Sequence, residues 1–531
     1  MKFNLDKHIP YILTSYFVVV SLIVWPFGNF PLNDDWVHTL TIYTWLSEGR
    51  FWYPAWLAPT VHIPILYGIG ITKIFGFSFV LLRMTTLIFA VGSCVCLYRL
   101  LRECGTSKNY SALGVILLAI NPLFLHLSFT FMSDIPALFF LLASALLYKK
   151  GFEKNHTWYL FFGSIMAVVG FYTRQFVILI ALAAGIAFCV KKIQEKKVSR
   201  KSIWQVFIAF GVPALACIGI YLVLRASHTV PGELHARLIP EQWSFITMAA
   251  SQGWYVLLYI ALFLSPLMVA IFVKNNSFFK ERIGTFLFGI TSVGILFALS
   301  QKLVFPKFGN IFSWFGIGPS ADQVLSGTLP RWGDMFYYMI ANGVAVLSLF
   351  TGIVAAGYIY VSRTHKKITL NSTSFIVLFC AMYFLLILSL RSFDRYILFL
   401  LPFGILFGIP LLKHFSWSKI TFGILATFLG VYGIIGTHQY FRWNEARWVL
   451  AQNLLAQGVG AHEIDAGYEW VGWYLYGKEQ NSSLKDFSTQ WYIRELYPSH
   501  SRTYVLSFSP LKGYTILTQR NSMYLLKKNE F

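Results

Sequence analysis

Run length is what most constrains the architecture. About thirteen stretches of roughly 20 apolar residues follow one another along the 531-residue chain. A soluble domain cannot hide that much apolar surface, because 56% of the residues are hydrophobic and only 12% are charged. The runs fall near residues 9–27, 77–98, 110–127, 132–148, 157–172, 175–190, 203–224, 252–273, 283–301, 336–361, 369–389, 396–412 and 420–437. Each is longer and less strictly alternating than a barrel strand, so each reads as a helix that satisfies its own backbone groups. The expected fold class is an all-α polytopic membrane protein of about 13 transmembrane helices, with interfacial helices in its first outer loop and a small α/β domain at its C-terminal end.

Charge placement predicts the orientation. Lys and Arg concentrate in alternate loops, for example Lys191, Lys192, Lys196, Lys197, Arg200 and Lys201 in one and Arg363, Lys366 and Lys367 in another. With a cytoplasmic N-terminus, about 22 basic residues face the cytosol against about 11 outside. The C-terminus is then extracytoplasmic, and the formal charge of +21 reports topology rather than a nucleic-acid partner. Trp25-Pro26-Phe27-Gly28 offers no small-residue cleavage site, so the first run reads as an uncleaved helix. The six cysteines sit in the runs or near their cytosolic ends, which gives neither a disulfide framework nor a zinc cluster.

The domain plan has a transmembrane domain at 1–437 and an extracytoplasmic α/β domain at 438–531. Within the first, the outer loop 28–76 is too polar to span and too aromatic for an ordinary loop. Its spacing predicts an interfacial helix ending at Gly49, prolines at 54, 59 and 64, then a second short helix over 65–75. That ledge carries two adjacent carboxylates, Asp34 and Asp35, in a chain otherwise poor in acid. A further outer loop, 301–334, is rich in Gly, Phe, Pro and Trp without a period, and reads as a lid. In the tail, 443–455 and 468–476 read as helices and 503–508, 514–518 and 523–526 as strands; a cap or acceptor-binding role and an inert lid both fit it.

Several stretches together resemble the C-type (GT-C) membrane glycosyltransferases. They are Asn33-Asp34-Asp35-Trp36, Gly49-Arg50-Phe51, His62-Ile63-Pro64, Phe75-Gly76-Phe77-Ser78 with Arg83, Ser133-Asp134-Ile135-Pro136, and Asp394-Arg395-Tyr396 with Pro402. The likeness is to bacterial relatives of protein O-mannosyltransferase and lipid A aminoarabinose transferase, families 39 and 83. It implies an inverting hexosyl- or pentosyltransferase of the cell envelope, multi-pass in the bacterial plasma (inner) membrane. Such an enzyme moves a sugar from a polyprenyl-phosphate donor to a protein, lipid or glycan acceptor on the outer face. By match to the family's acidic pair, Asp34 is the expected base and Asp35 its partner or a structural cap. The residue type alone also fits helix capping for both.

Asp134 is the second acidic candidate, facing the cavity or capping its helix. A leaving phosphate needs positive charge, and the candidate cations are Arg83, Arg174, Arg391, Arg395, Lys302 and Lys307. A divalent metal ion, if one is held, would take His62, Asp34 and Asp134; His62 stands near the place where relatives carry an acidic ligand. The competing function class is a transporter or flippase for lipid-linked sugars, which would place its polar groups near mid-membrane on broken helices.

Overall fold

The computed structural model describes residues 4–227, 245–274, 310–313, 316–319, 324–328, 346–353, 372–389, 393–412, 417–478, 490–520 and 523–529, with single residues 290 and 344. It is mostly helical, with a small sheet near the C-terminus. Among the described residues seven helices are long and apolar enough to cross a membrane, or eight if one bent pair counts as a span. Three shorter apolar helices accompany them: His62–Phe75, Thr157–Phe171 and Ser374–Ser389. The expected spans at 283–301 and, for most of its length, 336–361 lie outside the described residues.

The N-terminal half follows the apolar pattern closely. Helix α1 is Leu5–Val24, α2 Asp35–Glu48, α3 His62–Phe75 and α4 Phe79–Glu103. Gly49 ends α2 in the left-handed region at φ 69°, its N–H donating to the Trp45 carbonyl. Helix α3 begins three residues earlier than its expected start, because Pro64 sits in the first turn, where a missing N–H costs nothing.

The run at 110–127 is not one helix. It is α5, Lys108–Ala119, and α6, Pro122–Ser128, bent by 67°. Pro122 opens α6, and the Asn121 side chain accepts the N–H groups of Leu123 and Phe124 at 3.0 and 3.2 Å, so a new helix is capped where the old one ends. Beyond it come α7, Asp134–Lys154, α8, Thr157–Phe171, and α9, Ile178–Gln194. The expected span at 396–412 is likewise broken into a 3-10 turn Asp394–Phe399, a helix Leu401–Gly408 and a 3-10 turn Ile409–Leu412, with Pro402 and Pro410 at the breaks.

The last apolar run continues far past its expected end. A single helix, Trp417–Ala456, covers both that run and the helix expected over 443–455, so position 437/438 lies inside a continuous element. No proline interrupts it, and it stops at Gly458, φ 89°, with the Val459 N–H returning to the Leu454 carbonyl. After it come β3, Ile464–Asp465, the helix Tyr468–Leu475, the helix Trp491–Leu496, and the strands β4, Tyr504–Ser507, β5, Tyr514–Arg520, and β6, Met523–Lys528. The sheet order is β3-β4-β6-β5, parallel only between β3 and β4. Earlier in the chain β1, Phe312–Ser313, and β2, Gly316–Ile317, form a two-residue hairpin within the loop read as a lid. The hairpin is pinned, since the Asp394 carboxylate accepts the N–H groups of Ile311, at 3.0 Å, and Phe312.

The tail shares its core with the ledge. One apolar cluster joins Trp36, Ile42 and Ile65 of the ledge to Phe441 and Trp448 of the long helix and to Trp470, Val471 and Leu506 of the tail. Tail and ledge meet tightly at Gly472, where a Cβ would lie 2.5 Å from the fully buried Trp36 ring, so only glycine fits there.

Candidate active site

The chain reverses just before α2. Asn33 is left-handed at φ 52°, a conformation that asparagine tolerates better than most residues, and the turn sends the next two carboxylates to different sides. Asp35 points inward and is buried; its oxygens accept the N–H groups of Leu32 and, at 3.3 Å, Phe131. Burial pushes its carboxyl up to about 8, against the pull of Arg83 and those two N–H groups. One turn on, the ring Nδ1 of His38 lies 3.1 Å from the Phe131 carbonyl. Burial lowers the imidazole to about 4, so it is neutral at physiological pH. Asp35 and His38 thus hold the backbone of Phe131, one by its N–H and the other by its carbonyl.

Asp34 behaves differently. It stands at the N-cap of α2 yet its side chain makes no capping bond. Its Oδ1 accepts the hydroxyl of Tyr468 at 2.8 Å and its Oδ2 the Arg395 Nη2 at 3.1 Å, with 28% of the side chain still open. A carboxylate has about four acceptor positions, of which the described residues use two.

A second ion pair stands beside the first. Asp134 is fully buried at the start of α7 and its Oδ2 accepts Arg174 Nη2 at 2.9 Å, while Arg174 Nε donates to the Ser133 hydroxyl at 3.1 Å. Arg174 occupies the turn between α8 and a short 3-10 segment, where its charge interrupts the apolar run. The guanidinium groups of Arg174 and Arg395 both lie over the Tyr396 ring, at 5.3 and 5.9 Å, and Asp34 and Asp134 both act electrostatically on Arg395. Among the described residues, Nε and Nη1 of the buried Arg395 and Oδ1 of Asp134 have no hydrogen-bond partner. Unsatisfied buried donors on a cation mark a place that an anion can complete.

Of the expected cations, then, Arg174 and Arg395 converge on Asp34 and Asp134. Lys302, Lys307 and Arg391 lie outside the described residues. Arg83 is engaged elsewhere: it is fully buried, and its two terminal nitrogens donate to the carbonyls of Pro26, Gly28 and Phe30 at 2.7, 3.1 and 2.7 Å. Its guanidinium shapes the approach to Asn33, a task for which Lys lacks the fork. Arg83→Lys should therefore destabilise the solubilised protein by about 2 kcal/mol, read as an earlier thermal transition. An unchanged thermal transition would return Arg83 to the candidate phosphate-binding cations.

The expected metal set is not assembled. Among the described residues no group of three His, Cys, Asp or Glu side chains could hold a metal ion. His62, at the start of α3, packs between the rings of Tyr53 and Tyr172, at 5.4 and 5.9 Å. Asp34 and Asp134 each pair with a guanidinium instead of meeting at one point with His62.

Tyr468 was not foreseen, nor was Trp56, whose indole N–H donates to the Tyr468 oxygen at 2.7 Å. Tyr468 lies 434 residues from Asp34, and no local spacing reports that pairing.

These features define a polytopic helical membrane protein with a polar, two-carboxylate, two-arginine site built across its ledge, a late 3-10 turn and its tail. Residues 66–223 match the family described as dolichyl-phosphate-mannose-protein mannosyltransferase. That match supports the resemblance to the C-type membrane glycosyltransferases; it takes in Arg83, Asp134 and Arg174 but neither Asp34, Arg395 nor Tyr468. No curated protein sequence matches the chain significantly. Among solved structures it is similar to the S. cerevisiae protein O-mannosyltransferase Pmt1-Pmt2 complex bound to the sugar donor, at 18% identity, TM-score 0.33, over 43% of this chain and 34% of that one. It is similar to the archaeal oligosaccharyltransferase AglB from Archaeoglobus fulgidus, at 13% identity, TM-score 0.38, over 83% of this chain and 58% of that one. ArnT from Cupriavidus metallidurans matches at 9% identity, TM-score 0.39, over 97% of both chains. The chain thus spans about a third of the yeast chain and somewhat over half of the archaeal one.

Proposed function

We propose that this chain is an inverting glycosyltransferase that moves a hexose or pentose from a polyprenyl-phosphate donor to a hydroxyl of a protein, lipid or glycan, on the outer face of the plasma membrane. The observation that carries the reading is the partly open Asp34, held by the Tyr468 hydroxyl and by the buried Arg395, whose Nε and Nη1 have no hydrogen-bond partner among the described residues. An acceptor oxygen attacks the anomeric carbon from the face opposite the phosphate. As the new C–O bond forms, the bond from that carbon to the phosphate oxygen breaks, and the electron pair leaves with polyprenyl phosphate. Asp34 takes the acceptor's proton. Arg395 and Arg174 stabilise the charge gathering on the leaving phosphate, a role in which a desolvated guanidinium fork is effective. Asp134 keeps Arg174 aimed at the site.

The test is glycan and lipid mass spectrometry on cells carrying the wild-type chain, no chain, or Asp34→Asn at equal abundance. The expected result is one sugar missing from one acceptor in both defective strains, with its polyprenyl-phosphate donor accumulating. Full restoration of every glycan by Asp34→Asn would overturn the reading and put a flippase in its place.

A further inference from the structure

We infer that Tyr468 is a positioning residue for Asp34, so that the C-terminal unit completes the active site instead of merely covering it. The inference rests on the reading of Asp34 as the base. The phenol oxygen accepts the Trp56 indole N–H at 2.7 Å, which leaves its own O–H to point at Asp34 Oδ1, 2.8 Å away. With Arg395 on Oδ2, the carboxylate is held at both ends and its remaining lone pairs are fixed in direction. Pre-set orientation of a base is worth a large share of its effect, because a misaligned carboxylate must be reorganised at each turnover.

The tyrosine is itself rigidly mounted. It is buried, lies between the rings of Trp491 and Trp36 at 5.2 and 5.9 Å, and follows Gly467, whose φ of 96° and closeness to the Val324 carbonyl exclude a side chain. Its neighbour Glu469 accepts the Asn33 N–H at 2.9 Å, one residue before Asp34. The same short helix, Tyr468–Leu475, therefore holds both the backbone before the carboxylate and the carboxylate itself. That arrangement goes beyond packing, since a phenylalanine would fill the same space.

The experiment uses the full-length protein with Tyr468→Phe, Trp56→Phe and Asp34→Asn. Turnover is read in cells as the rate of sugar transfer to the acceptor found by the comparison above, and donor-site occupancy as affinity for polyprenyl phosphate without its sugar. Tyr468→Phe should lower turnover about 10- to 100-fold with affinity for that lipid unchanged, and Trp56→Phe should lower it a few-fold. The carboxylate stretch of Asp34, taken as the infrared difference between wild type and Asp34→Asn, should shift in Tyr468→Phe. Wild-type turnover and an unshifted band in Tyr468→Phe would overturn the inference while leaving Asp34 as base. Loss of lipid affinity in step with turnover would also overturn it, by making the role structural. Wild-type turnover in Asp34→Asn would remove the underlying reading instead. Should Tyr468→Phe fail to fold, Trp56→Phe decides by the same readouts.

Discussion

Asp34→Asn should cut sugar transfer by roughly two to four orders of magnitude, the usual worth of a positioned general base. It should do so with little change in stability. The side chain caps no helix and is 28% open, and the near-isosteric asparagine still offers its amide oxygen to the buried Arg395, so the change removes a charge without unpairing the guanidinium and costs about 1 kcal/mol. Arg395 keeps the electrostatic support of Asp134. The neighbouring substitution should behave in the opposite way. Asp35→Ala leaves the N–H groups of Leu32 and Phe131 without their acceptor in a buried setting, and should lower the melting temperature and the yield of folded protein before activity can be compared. Mass spectrometry of the glycans, set against thermal unfolding of the solubilised protein, separates the two. A large loss of stability in Asp34→Asn would mean that the carboxylate is a structural tie.

The two aspartates also show how far residue order reaches. Period and run length made the helices legible, because a bilayer demands about 20 apolar residues and turns demand breakers. The ends of α2 and the three longer strands of the tail were readable for the same reason. Errors came where two signals compete. The 110–127 run has span-like hydropathy, but Asn121-Pro122 writes a cap into its middle; the last run has a polar continuation that a hydropathy reading ends and a helix ignores. At the site, Arg174 is nameable because an isolated charge stands out in an apolar chain, whereas Asp34, Asp134 and Arg395 are nameable through the stretches that resemble the C-type membrane glycosyltransferases. Their pairing is not, nor is the division of labour between Asp34 and Asp35, which depends on a left-handed Asn33. Arg83 stands in one of those stretches too and is a candidate for phosphate, yet three backbone carbonyls accept its N–H groups. A lone buried arginine announces a partner without saying which.

Glu469→Ala should be the most destabilising of the single changes considered, by about 3–5 kcal/mol, and should abolish transfer as well. Glu469 and Arg447 are both fully buried, and their side chains meet at 2.9 Å between the tail and the long helix. Removing the carboxylate leaves Arg447 with Asn444 as its remaining side-chain hydrogen-bond partner among the described residues and leaves the Asn33 N–H without its acceptor. The first loss is the heavier, since a buried guanidinium without its counter-charge has neither water nor an anion to solvate it. The second reaches the chemistry, because Asn33 already holds a left-handed backbone that costs of order 1 kcal/mol and is kept by such contacts. A double replacement distinguishes the two. Arg447→Met with Glu469→Leu removes both charges and should recover much of the stability, as buried ion pairs replaced by apolar residues commonly do. Transfer should stay low, because a leucine cannot accept the Asn33 N–H and Asp34 is left on a loosened turn. Thermal unfolding and glycan analysis of the two single variants and the double form the cycle that tests this. If the double variant recovers stability and transfer together, the turn at Asn33 holds without Glu469 and the carboxylate serves the fold alone. If Glu469→Ala melts like wild type, the tail is not anchored through this pair at all.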